Sequence, residues 1–430
     1  MKNGWEIKKL VDICDLQNGY AFQSKSYTEF SNTLNIRMSS IRPSGEFDPE
    51  HNIRFLPDSF AQEYSQFLLA EGDLIIAMTD MAGNPKILGL PTLVERLNGR
   101  KFLLNQRVGK LHSLSKQVDT FYLRYFLSSP DIKEYYKARG AGGLQINISK
   151  KDVLSVTILI PPLSEQKQIV SIVDEAFEAL DIAIDNTKQN LTNARELFDS
   201  YLNAIFTQKK GDGWFDRKLG DIATLRNGIN FTKNSTGESI RIVGVKDFQD
   251  NFWMQEDVLE FVKVDGELKE IDTLHKNDIL TVRSNGSKEL IGRCILVGCI
   301  SKKTSHSGFT IRIRVERKDI YPPFIVHFLK SKELRKQLTA SGGGISISSI
   351  NQQGLSLIEL SFPALEKQKS IVASIDELAI ETQRLETIYK QKLNALNELK
   401  QSILHKAFTG ELTADKADLM TNIEPEAIAV

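Results

Sequence analysis

The sequence predicts an α+β fold built twice. Two tandem globular units, each a mainly antiparallel curved sheet with short helices, are joined and separated by two long antiparallel coiled-coil helices. Three observations predict this. Residues 4–25, GWEIKKLVDICDLQNGYAFQSK, return as residues 213–234, GWFDRKLGDIATLRNGINFTKN, with ten of the 22 positions identical. The segment PPLSEQKQIVSIVDEAF from Pro161 returns as PALEKQKSIVASIDELA from Pro363, 202 residues later. Each copy of that second segment opens a run of apolar residues spaced three or four apart. A period of 209 residues is too long for a solenoid and means two related domains in one chain.

The opening of each globular unit carries Trp5 or Trp214 and then an Asn-Gly pair, Asn18-Gly19 or Asn227-Gly228, which reads as a turn. Short β-type runs follow. In the first unit they are NIRMSSI and GDLIIAMT; in the second, IRIVGVKDF and NDILTVRS, punctuated by Gly, Asn and Asp. DTFYLRYFLSS and PFIVHFLKSK read as short helices. A glycine-rich turn, 140–143 or 342–344, then leads to a last strand within VLSVTILI or LSLIELSF. Between these repeated ends the copies diverge, most at residues 43–70 and 247–276.

The helical segments show Ile169, Val173, Ala176, Leu180, Ala183, Thr187, Leu191, Ala194, Leu197, Tyr201 and Ile205 on one stripe. The second shows Ile371, Ile375, Leu378, Leu385, Ile388, Leu393, Leu396, Leu399, Ile403 and Phe408. Neither contains Gly or Pro, so each predicts an amphipathic helix of roughly 40 residues, about 60 Å long. A stripe of that length needs a partner, and the other copy supplies one within the chain. The predicted order is therefore globular 1–160, helix 161–208, globular 209–362, helix 363–412. A tail without periodicity, 413–430, is expected to be disordered.

Composition narrows the class. At 48.5 kDa and 41% hydrophobic residues the chain can bury two cores. No apolar stretch approaches the length that spans a bilayer. The first ten residues lack a signal-peptide core, and Cys14, Cys294 and Cys299 read as small buried residues in a reducing cytoplasm. Net charge is zero but unevenly placed. Residues 1–160 carry 20 basic against 17 acidic side chains, and residues 209–362 carry 24 against 19. The helical stretches are acidic, 3 against 8 in 161–208 and 8 against 11 in 363–430. Basic globular units on acidic struts suit nucleic-acid contact confined to the globular parts.

Candidate contacts are the polar residues at matched places in loops. Arg37 and Arg42 are set against Arg241 and Lys246. The loop bearing Thr79 and Met81 is set against Ser284, Asn285 and Ser287, flanked by Arg283 and Lys288; Asn105, Gln106 and Arg107 lie near the position of His306. Arg and Lys reach guanine or phosphate, and Asn and Gln pair with adenine, which is why these types in loops point to DNA. Catalytic signatures are missing: no phosphate-binding loop, no dinucleotide fingerprint, no metal-ligand spacing of His or Cys. Tyr321-Pro322-Pro323-Phe324 resembles the [ND]-P-P-[YF] motif of amino-methyltransferases. It has Tyr where the amine-holding side chain belongs, and it aligns with Phe121, Tyr122, Leu123 and Phe126, a helix start. A coiled-coil scaffold without DNA binding and a self-sufficient adenine methyltransferase are the alternative readings.

The GW…LxDI…NG openings, the PPLSEQKQIV and PALEKQKSIV helix starts and the AFTGEL of residues 407–412 resemble the specificity subunit of type I restriction–modification systems. The resemblance covers nearly the whole chain; Ala364 departs from it, standing where the first copy has a second proline. It implies that each globular unit is a target recognition domain reading one half of a bipartite, asymmetric site in double-stranded DNA. It implies that the helices set the gap and dock two methyltransferase (modification) subunits, which restriction subunits join. S-adenosylmethionine, Mg and ATP are then expected on those partners, with no cofactor, metal or catalytic residue on this chain.

Overall fold

In the computed structural model the described residues are 4–95, 98–207, 213–249, 251–331, 334 and 349–413, the side chain of Lys288 excepted. The 342–344 turn and residues 414–430 of the tail lie outside them. The chain forms two compact units, Met1–Thr187 with Gln391–Val430, and Lys188–Lys390.

The first unit contains β1 (Glu6–Lys9), β2 (Asp15–Asn18), β3 (Thr33–Ile36), β4 (Phe55–Leu56), α1 (Phe60–Glu63), β5 (Leu68–Leu69) and β6 (Leu74–Ala77). There follow β7 (Thr79–Met81), β8 (Pro91–Leu93), β9 (Lys101–Leu104), β10 (Val108–His112), α2 (Thr120–Leu127) and α3 (Pro130–Arg139). The unit's last short elements are β11 (Gln145–Asn147), α4 (Lys150–Leu154) and β12 (Thr157–Ile160), before the long helix α5 (Leu163–Thr207). Its two main sheets run β2-β10-β6-β8 and β4-β3-β9-β5, with β1-β12 and β11-β7 as side pairs. All of these ladders are antiparallel except β3 with β9.

The second unit repeats the plan with β13 (Trp214–Lys218), β14 (Ala223–Asn227), β15 (Ser239–Val243), β16 (Glu260–Lys263), β17 (Ile279–Val282) and β18 (Cys294–Leu296). It continues with β19 (Thr304–His306), β20 (Thr310–Val315), α6 (Pro322–Lys330), α7 (Gln352–Ser356), β21 (Glu359–Pro363) and the second long helix, α8 (Leu365–Thr409). The orders β14-β20-β17-β18, β16-β15-β19 and β13-β21 match β2-β10-β6-β8, β4-β3-β9 and β1-β12 of the first unit, parallel pair included, while β5 has no counterpart strand among the described residues. The α+β class is therefore met, distributed over several small sheets.

Where the sequence suggests one final strand per unit, a one-turn helix stands first. Val153 and Leu154 close α4, and Leu355 and Ser356 close α7. Capping explains it: Ser149 Oγ accepts from Asp152 N, and Asn351 Oδ1 accepts from Gly354 N. The YPPF segment is the start of α6, with prolines in its first turn and Phe324 fully buried. Cys14 and Cys294 are buried, and burial raises their thiols to about 12 and about 11. Cys299 is exposed, contrary to the expectation for all three, because it lies in the irregular stretch after β18.

Both long helices run 45 residues. Each unit's core takes an end of each. In the first unit Ile169 and Val173 of α5 join Leu404, Ala407 and Phe408 of α8. The Phe408 ring meets Tyr122 and Phe126 edge-on at 5.4 and 5.2 Å. In the second, Leu202 and Phe206 of α5 join Val372 and Ile375 of α8, and Phe206 meets Phe324 and Phe328 edge-on at 5.4 and 5.5 Å. Burying each phenyl contributes about 2–3 kcal/mol, and the edge contacts about 1 kcal/mol more. These matched anchors explain why the helix ends repeat in sequence. The helices pack antiparallel, with Arg195 gripping Glu386 through two 2.9 Å hydrogen bonds and Lys400 paired to Asp181.

Candidate nucleic-acid interface

In each unit the ends of four segments are tied together by the same backbone hydrogen bonds. In the first, Gly19 N donates to Val108 O, Tyr20 N to Leu104 O, Asn105 N to Ile36 O, Gln106 N to Tyr20 O and Met78 N to Arg107 O, at 2.9–3.2 Å. In the second, Gly228 N donates to Thr310 O, Ile229 N to His306 O, Ser307 N to Val243 O, Gly308 N to Ile229 O and Arg283 N to Phe309 O, at 2.8–3.1 Å. The Asn-Gly pair is what permits this junction. A Cβ on Gly19 would lie 2.2 Å from Asn105 O, and one on Gly228 2.2 Å from Ser307 O. These glycines serve close backbone approach, more than a turn.

The bonds fix which residues are equivalent, and two pairings drawn from sequence shift. Ile36 matches Val243, so Arg37 matches Gly244 and Lys246 matches Ser39, while Arg241 matches buried Leu34. The repeated Ile-Arg dipeptide suggests a register three residues away, and the hydrogen bonds overrule it. Asn105, Gln106 and Arg107 match Ser307, Gly308 and Phe309, so His306 matches Leu104. The pairing of Thr79 with Ser284 stands: Thr79 pairs with Asn147 in the β7–β11 ladder, and Ser284 bridges Ser349.

Around the first junction, Gln106 and Met81 are exposed, Met81 by 53%, and Arg37 and Arg107 are half-buried. Neither guanidinium has a partner among the described residues. Arg42 lies 4.0 Å from Asp48, a loose pair. Thr79 and Asn105 are buried. Thr79 Oγ1 donates to Asn147 Oδ1, and Asn105 Oδ1 accepts from Arg107 N, so both shape their loops.

Around the second junction, Lys246 is exposed and ion-paired to Glu260. Arg283, Ser284 and Asn285 are half-buried and Ser287 exposed, with Asn285 Oδ1 accepting from Ser287 N at 2.9 Å. The Lys288 side chain lies outside the described residues. Two candidates point inward. Arg241 Nη1 donates to Glu256 O at 2.9 Å and lies 3.1 Å from Glu256 Oε1, with its guanidinium over the Phe261 ring. His306 is fully buried, its Nδ1 2.9 Å from Thr310 Oγ1. Burial, aided by Arg312, lowers its pKa to about 3, so it is neutral at physiological pH and away from the surface. Strand position, invisible in a list of residue types, turns both inward.

A cleft of about 430 Å³ opens at this junction, lined by Phe231, Lys246, Glu260, Asn285, Ser307 and Phe309 among others. The Ser307 hydroxyl is buried without a partner among the described residues. Phe309 is 62% exposed, a residue that sequence reasoning passed over because an aromatic beside a strand reads as core. Its place directly after the tight Ser-Gly turn was the available signal. Among the described residues no group of three metal-ligating side chains occurs, and no helix is long and apolar enough to cross a membrane.

Two stretches of the chain, residues 2–193 and 211–397, match the family described as type I restriction modification DNA specificity domain. The chain belongs to this family. It is a DNA specificity subunit of a type I restriction–modification system, with two target-recognition domains, and is itself non-catalytic. Relatives agree over nearly full length. The StySPI specificity subunit of Salmonella potsdam is 26% identical, covering 96% of this chain and 90% of its own. The EcoKI specificity subunit of Escherichia coli strain K12 is 27% identical with the same coverage. The crystal structure of the HsdS subunit from Thermoanaerobacter tengcongensis shares the fold at 18% identity, with a TM-score of 0.58 over 96% of this chain and 98% of its own. A chain from a study of type I system assembly and conformational transition does so at 19% identity, with a TM-score of 0.72 over 96% and 99%.

Proposed function

We propose that residues 1–160 and 209–362 each read one half of a bipartite, asymmetric DNA sequence through the junction of loops described above. The observation that carries this is the pairing of one backbone framework with two sets of side chains. Ten hydrogen bonds, five per unit, hold the loops alike. The side chains they carry differ: the first unit has Gln106 and Arg107 where the second has Gly308 and Phe309. Rigid support with private side chains is what two readers of different bases require. Arg37, Arg42, Met81, Gln106 and Arg107 are the contacts proposed for the first unit, and Lys246, Arg283, Ser284, Asn285, Ser287 and Lys288 for the second. Thr79, Asn105, Arg241 and His306 then serve by holding the loops.

The stretches 161–208 and 363–412 carry the helices, which in this reading fix the unspecified gap and dock two modification subunits, with restriction subunits joining them. Apolar side chains left exposed along the helices, Ile182, Leu197 and Ile380, support docking there. S-adenosylmethionine, Mg and ATP belong to those partners, which flip and methylate adenine while this chain supplies the address. Such a complex works on host DNA in the cytoplasm.

Selection of random duplexes bound by the chain assembled with its modification subunits tests the reading. Two enriched blocks separated by a fixed unspecified gap are expected. Inserting seven residues into each helix, which keeps the stripe facing its partner, should lengthen the gap and leave both blocks unchanged. Enrichment of a single block, or of none, contradicts it.

A further inference from the structure

We propose that one backbone position sets the difference between the half-sites: Arg107 in the first unit reads a guanine, and Phe309 in the second reads the methyl group of a thymine. This rests on the DNA-reading function proposed above and adds residues and bases to it. The two are equivalent by hydrogen bonding, since Arg107 O accepts from Met78 N at 2.9 Å and Phe309 O from Arg283 N at 2.8 Å. The next residue starts the strand that pairs with the Asn-Gly segment, β10 in one unit and β20 in the other.

Each side chain stands on a rigid turn, Phe309 exposed and Arg107 half-buried. Arg107 is held on both sides, because its N–H also donates to Asn105 Oδ1 at 3.2 Å. Its guanidinium has no partner among the described residues, and beside it stand exposed Gln106 and the unpaired Arg37. Phe309 keeps 62% of its surface in water although Ser307 and Thr310 are buried, and it lines the cleft that holds Lys246, Asn285 and Ser307, whose hydroxyl has no partner among the described residues. A hydroxyl with no partner among the described residues, beside an exposed phenyl, leaves the cleft free to take a further group.

The chemistry of the two side chains then selects the base. A guanidinium donates two parallel hydrogen bonds to guanine O6 and N7 in the major groove, whereas a phenyl neither donates nor accepts and packs on the thymine methyl. A phosphate role separates from this. Arginine on a phosphate favours no sequence, and phenylalanine cannot hold a phosphate.

Reciprocal exchange, Arg107→Phe and Phe309→Arg, tests the assignment in the assembled complex, against duplexes in which each base pair of both half-sites is replaced in turn. For the native complex one G·C pair in the first half-site should be discriminated by roughly 10- to 100-fold. Arg107→Phe should abolish that discrimination and leave the second half-site untouched. Phe309→Arg should create a new G·C preference in the second half-site, a gain that a folding defect cannot imitate. Uniform weakening with base preferences intact would place Arg107 on a phosphate and overturn the assignment, as would unchanged binding. A native complex without any base preference would instead remove the underlying DNA-reading function.

Discussion

Gln166 and Gln368 show what a repeated residue can mean when it touches no ligand. Both are fully buried in the first turn of a long helix. Gln368 Nε2 donates to Asp319 O and Pro363 O, and its Oε1 accepts from Tyr321 N, all at 2.8–2.9 Å. Gln166 repeats this with Gln117 O, Pro161 O and Asp119 N. One amide thus ties the last strand, the long helix and the short helix before it. Gln368→Leu keeps the bulk but removes three hydrogen bonds to backbone, of which the one to Pro363 O is buried and the other two part-buried, so it should cost about 2–3 kcal/mol. Chemical denaturation of the native chain and the variant measures this, and a difference below about 1 kcal/mol would show the junction held by packing alone. The repetition of this glutamine was legible in the sequence; its role was not. The same holds for the candidate contacts. Residue types in loops nominated Arg107 and Asn285 as candidates, but whether a side chain faces water depends on strand register, which turned Arg241 and His306 inward.

The long helices were the most legible elements, because an apolar stripe sustained over many turns fits little besides a helix. The small sheets were less so: strands of two to six residues give too little alternation to separate them from the one-turn helices capped by Ser149 and Asn351. Between the helices, the paired hydrogen bonds from Arg195 hold the Glu386 carboxyl down to about 2, against an ordinary 4.5. The folded state therefore binds the proton more weakly than the unfolded chain. Its contribution is complete above about pH 4.5 and is lost as pH falls through the folded value. Glu386→Gln should be less stable than the native chain by under about 1 kcal/mol near neutrality, the pair being largely solvated. That gap should stay constant down to about pH 5 and close towards pH 2. A gap independent of pH over this range would mean the helices are held by the apolar stripe without help from the pair.

At the scale of the whole molecule, duplication explains both what is shared and what is not. The anchors Leu202, Phe206, Leu404 and Phe408 and the loop-tying glycines must be kept for either unit to fold, so they show through in sequence. Exposed positions at the junctions carry no such demand and are free to specialise. Charge follows the same division: the globular stretches are basic and the helical stretches acidic. The measurement that tests the central claim most directly is to co-express the chain with its modification subunit and map N6-methyladenine across the host genome. The account predicts one gapped motif whose two halves differ in sequence. Methylation at ungapped sites, or at sites without a common sequence, would contradict it.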